Sequence, residues 1–163
     1  MSKTIPSYNP LQIILHWLIA TLIVANYFIS DHMPSYFDAH QKDSNSPTNW
    51  VENFHIYVGL SILALVVARI IVRVISKQPE KISTGNAWLD TLSRYSHKLL
   101  YLLMLLVPAL GALAWYFNLD QLGYVHVVTI NAMMIIVLLH AAAALFHHYV
   151  LKDRILTRML GRS

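Results

Sequence analysis

The chain of 163 residues contains no cysteine. Structural disulfides, iron–sulfur ligation, thiolate-held haem and the CxxCH attachment of c-type haem are therefore all excluded. Charge is scarce as well: Asp, Glu, Lys and Arg make up 12% of residues against 56% apolar ones, and the mean hydropathy is +0.50. That balance belongs to proteins embedded in lipid. No glycine-rich nucleotide loop and no GxSxG elbow occurs, which removes the kinase and α/β-hydrolase classes. The net charge of +4 does not indicate nucleic acid. Its basic residues lie beside long apolar runs, where they are topology signals.

Four such runs are present, at about residues 11–30, 54–75, 95–117 and 123–151. Each is long enough to cross the roughly 30 Å of a bilayer as a helix. The first is too long for a secretory leader and no small-x-small cleavage site follows it, so it reads as a retained span. Residues 31–53, 76–94 and 118–122 connect the runs, and His32 and His40 in the first connection read as ordinary solvated histidines. Pro108 and Gly111 predict a kink in the third run. The tail LKDRILTRMLGR is basic and amphipathic, as at a membrane surface. The expected fold is all-α: one domain over 1–163, an antiparallel four-helix transmembrane bundle. On that layout Lys3, Arg69, Arg73, Lys77, Lys81, Arg94, Lys98, Lys152, Arg154, Arg158 and Arg162 fall on one side, and Lys42 alone on the other. The positive-inside rule then places both termini in the cytoplasm.

The fourth run carries His126, His140, His147 and His148. Ionisable side chains at membrane depth are rare and mark function. His126 and His140 are 14 residues apart, almost four turns, so both leave one helix face roughly 21 Å apart along the axis. His16 stands early in the first run and His55 opens the second. Matching levels along antiparallel helices pairs His55 with His126 at the outer level and His16 with His140 at the inner one. Two ligands from two helices at each level suit two stacked metal centres, and a haem with both axial positions taken by imidazole suits electron transfer. Ala20, Gly59, Gly123 and Ala144 lie within one turn of these histidines and offer room for a porphyrin edge. Two other readings stay open: interhelical hydrogen-bonding, and direct zinc or iron ligation in a histidine-based metal transporter. None of the four runs contains the Asp or Glu that cation-transport sites recruit. Arg69 lies roughly 21 Å inward of His55, level with the inner pair and placed for a haem propionate. Arg73 reads as an interface anchor, and His97 as a residue near the inner surface. His147, two turns beyond His140, is placed for an inner haem edge or a quinone.

LQIILHW around His16, HIYVG and ARIIVR between His55 and Arg73, SHKLLYLLMLLVPALG from Ser96 to Gly111, and HAAAALFHHYVLKD from His140 to Asp153 carry a resemblance. In these motifs, over nearly its whole length, the chain resembles the bacterial cytochrome b561 family. The resemblance implies a multi-pass inner-membrane protein with two haem b groups, one on His55 and His126 and one on His16 and His140. It implies electron exchange with membrane quinone, ubiquinone being the expected exchangeable substrate, and it makes His97 and His147 candidates for the quinone end beside Arg69. One type in the family is a superoxide oxidase, which takes electrons from superoxide at the periplasmic face and reduces ubiquinone. That type has a long outer loop between its last two helices, where this sequence has only residues 118–122. The outer connections here hold Asp31, Asp38, Asp43, Glu52 and Asp120 against Lys42, a net charge of −4. Such a face repels an anionic substrate and suits a basic periplasmic redox protein. The expected function is electron carriage across the inner membrane between the quinone pool and a periplasmic-side donor or acceptor. Superoxide:ubiquinone oxidoreductase and membrane anchor of a larger redox complex are the alternatives.

Overall fold

Asn9 accepts a hydrogen bond from Leu11 N–H at 2.9 Å, and Pro10, which has no N–H to leave unpaired, opens the first helix. This is α1, Pro10–Ile29. The computed structural model describes residues 8–43, 47–76, 85, 87–152 and 155–161. Lys3, Lys77, Lys81, Arg154 and Arg162, used in the orientation argument, lie outside them.

The connection after α1 is not an open loop. Met33–Lys42 forms a helix, α2, with Pro34 in its first turn and His40 and Lys42 in its last, where positive charge suits the helix dipole. The next helix, α3, spans Trp50–Ile75 and starts before the expected residue 54 because a capping box sets its origin. The Asn49 side chain accepts from Val51 and Glu52 N–H at 2.9 and 3.0 Å, and the Glu52 carboxylate accepts from Asn49 N–H at 2.6 Å. Glu52 is thereby buried, so it drops out of the acidic outer face. Helix α4, Ala87–Phe117, starts two turns before its apolar run, since apolarity marks the lipid-embedded part while helix propensity continues beyond it. Asn118, in the left-handed region at φ 52°, turns the chain into α5, Asp120–Phe146. A π-helical turn, His147–Leu151, ends on a left-handed Lys152 and leads to a short α6, Ile155–Met159.

Four of these helices, α1, α3, α4 and α5, are long and apolar enough to cross a membrane. Helix α1 packs on α3, α3 on α4 and α4 on α5. Cross-contacts fix the antiparallel sense: Asn26 meets His55 and Gln12 meets Arg69, while Val107 meets His126 and His97 meets His140. Both described ends of the chain lie at one end of the bundle (the terminal end). Helix α2 and the α4–α5 turn lie at the other, the loop end. The described part of the tail packs against the start of α1. Trp17 Nε1 donates to the Met159 carbonyl at 2.9 Å, Gly161 sits against Ile13, and Arg158 is buried.

The core is Ile19, Ile23, Ile62, Val66, Leu103, Val107 and Met133. Its place is informative. Ile19 and Ile23 follow His16, Ile62 and Val66 lie between His55 and Arg69, and Met133 is midway between His126 and His140. A purely apolar layer therefore separates two levels of histidine. Met133 is only 2% exposed. Met133→Ala should cost about 2 kcal/mol, the low end for a buried truncation, because lipid supplies no apolar transfer term between helices. The check is thermal unfolding in detergent, where a drop of several degrees is expected.

Candidate functional site

At the loop-end level His55 of α3 and His126 of α5 face each other, ring centroids 5.9 Å apart and planes at 88°. They share a cavity of about 800 Å³ whose wall includes Asn26, Gly59, Val107, Gly111 and Met133. That volume lies in the usual range for cofactor pockets, about 300–1,000 Å³. His126 Nδ1 is 2.8 Å from the Val107 carbonyl. A carbonyl only accepts, so Nδ1 carries the proton and Nε2 is left as the free ligand nitrogen. His55 Nδ1 is buried with no hydrogen-bond partner among the described residues.

At the terminal-end level His16 of α1 faces His140 of α5, ring centroids 6.4 Å apart. His97 of α4 joins them edge-on to His140 at 5.1 Å, with its Nδ1 bonded to the Ser93 carbonyl. Arg69 donates from Nε to Tyr101 Oη at 3.1 Å and from Nη1 to the Gln12 carbonyl at 3.2 Å, while Arg73 lies over the Tyr101 ring. Gln12, one turn before His16, is 4% exposed, and its Nε2 has no partner among the described residues. His147 is half-buried in the π turn, its ring 6.4 Å from that of Phe146.

Both pairings expected from depth are therefore brought together. The spacing has a chemical meaning: two imidazole centroids flanking one metal atom at bond lengths of about 2.0 Å stand roughly 6 Å apart. Two facing rings with a cofactor-sized cavity around one pair, and an orphaned buried amide beside the other, fit a bis-imidazole haem. Among the described residues no three His, Asp or Glu side chains converge to hold a bare metal ion.

Two expectations are corrected, and one residue that sequence reading missed is added. His40 is not a solvated loop histidine: α2 lays it flat on Trp115, centroids 4.0 Å apart and planes at 9°. The space beside Gly123 is taken by Phe37, not kept for a porphyrin edge, since a Cβ there would come within 2.7 Å of the Phe37 ring. The residue that gives a ligand room is Gly111, read from sequence only as part of a kink. A Cβ on it would meet the His126 ring at 3.0 Å. The signal was in the chain, a glycine one turn beyond Val107, but its partner stands on another helix.

The family model for prokaryotic cytochrome b561 matches residues 7–162. This chain belongs to that family. It is 43% identical over 155 residues to the cytochrome b562 of Cereibacter sphaeroides, covering 95% of this chain and 96% of that protein. It is 28% identical over 177 residues to a protein of Yersinia pestis named probable superoxide oxidase CybB, covering 96% of this chain and 97% of the relative. Cytochrome b561 homolog 1 of Escherichia coli is 27% identical over 176 residues, with 95% and 97% covered. Membership of a b-type cytochrome family brings a haem b cofactor, and the four spans make this cytochrome a multi-pass membrane protein.

Proposed function

We propose that this cytochrome holds two haem b groups, one between His55 and His126 and one between His16 and His140. With them it carries electrons across the bacterial inner membrane between the quinone pool and a redox partner at the periplasmic face. The observation that carries this reading is the two facing histidine pairs, at 5.9 and 6.4 Å, set at two levels on either side of an apolar core. Held between imidazoles of two helices, haem b would supply one-electron exchange. The chain supplies the rest. The Val107 carbonyl holds the His126 ring in one tautomer. The apolar layer between the levels keeps water from the centre of the bundle. Arg69, whose hydrogen-bond partners are neutral, offers a half-buried positive charge suited to a propionate or to a quinone oxygen at the terminal end. His97 and His147 are the further candidates for contact with ubiquinone there.

Lysine and arginine placement in the sequence supports one orientation. The terminal end is cytoplasmic, so the loop end, with Asp31, Asp38, Asp43 and Asp120 exposed beside Lys42, faces the periplasm. A basic soluble redox protein or the subunit of a larger redox complex suits that face. A second reading, superoxide:ubiquinone oxidoreductase, is favoured by the name of the Yersinia relative. The test starts with the reduced-minus-oxidised spectrum and haem-to-protein ratio of the purified protein. It continues with rapid mixing of the oxidised form with superoxide. Two haems per chain and no superoxide-dependent reduction above background support the carrier. Fast reduction passed on to added ubiquinone establishes the oxidase, and absence of haem rejects both.

A further inference from the structure

In a regular helix the Val107 carbonyl accepts from Gly111 N–H one turn on. A carbonyl has a second lone pair, and here it takes the Nδ1–H of His126 at 2.8 Å. The ring reaches that oxygen by lying across the bare face of Gly111. A Cβ there would meet Cε1 at 3.0 Å, Nδ1 at 3.1 Å and Nε2 at 3.5 Å. Pro108 sits between the two residues inside α4, and its missing N–H loosens the preceding turn. On the opposite ring the arrangement is not repeated: His55 Nδ1 is buried and without a partner among the described residues. Gly59, one turn beyond His55, would place a Cβ in ordinary contact with Asn26 at 3.9 Å.

We propose that Gly111 is a positioning residue of the outer haem. Its missing side chain lets His126 dock on the Val107 carbonyl, and that bond makes His126 the more electron-donating of the two axial ligands. This rests on the reading of His55 and His126 as an axial pair. A carbonyl accepting from Nδ1–H raises the basicity of the ligating imidazole. A more basic axial ligand stabilises the ferric form and lowers the midpoint potential. A methyl group at residue 111 makes the ring yield by a few tenths of an ångström, which lengthens the bond and reverses the effect.

The experiment is a redox titration of Gly111→Ala with low-spin electron paramagnetic resonance of the oxidised protein. Leu113→Ala, on the exposed side of the same helix, serves as the control. First the wild type is shown to hold two haems; if it does not, the axial-pair reading fails before the inference is reached. With two haems bound, the inference expects Gly111→Ala to shift one midpoint upward and move one set of g-values, leaving the other haem and the Leu113→Ala protein unchanged. Unmoved potentials and g-values in a fully loaded Gly111→Ala protein overturn it. If that variant does not accumulate, ¹⁵N-histidine NMR of the reduced, diamagnetic wild type decides. One axial histidine with a slowly exchanging Nδ1 proton supports the inference. Rapid exchange at both outer ligands overturns it.

Discussion

His126→Ala should remove one haem and leave the other spectroscopically intact, roughly halving the haem-to-protein ratio. His126 is the better-anchored member of its pair, held at 2.8 Å by a main-chain carbonyl of α4 and seated against Gly111. Its loss leaves His55 alone facing a cavity of about 800 Å³, and a single imidazole holds a non-covalent haem less firmly than two. The other pair lies about four helical turns away with the Met133 layer between, so its low-spin spectrum should persist. The check is a pyridine haemochrome assay together with the reduced spectrum of the purified variant. Loss of both haems would mean that the two levels fold as one unit. Retention of both would remove His126 from the ligand set.

What could be read from the sequence follows from what each pattern encodes. Span number and the levels of His16, His55, His126 and His140 are consequences of helical rise acting on long apolar runs, so counting residues was enough. The position of α2 was not countable. Residues 33–42 are polar on average, and what seats them on the bundle is that Phe37 fills the notch at Gly123 and His40 stacks on Trp115. Both partners lie about 75–85 residues away in sequence, and such packing routinely overrides local composition. The same holds for Gly111, whose role depends on a ring from α5, and for the tail, where the Trp17 indole captures the Met159 carbonyl. Glu52 looked like a free surface charge because capping by Asn49 requires a helix origin that hydropathy does not mark.

At the inner level the His97 ring lies edge-on to His140 beside the His16–His140 pair, and a haem there would take only two of the three imidazoles. His97 is nearer to His140 than His16 is, at 5.1 Å against 6.4 Å. Proximity alone would favour His97. A metal between two imidazoles needs their centroids roughly 6 Å apart, which the His16 pair meets and the His97 pair undershoots. His97 is also exposed, and its Nδ1 is tied to the Ser93 carbonyl within its own helix. His16 instead is half-buried, flanked edge-on by Trp17 at 5.2 Å. His16→Ala should therefore strip the inner haem and keep the outer one, whereas His97→Ala should keep both haems and slow only electron exchange with added ubiquinone. The comparison is made on haem content first and quinone-dependent reoxidation second. If His97→Ala loses a haem while His16→Ala retains both, the inner ligand pair is His97 with His140, and the level-matching that placed His16 there is refuted.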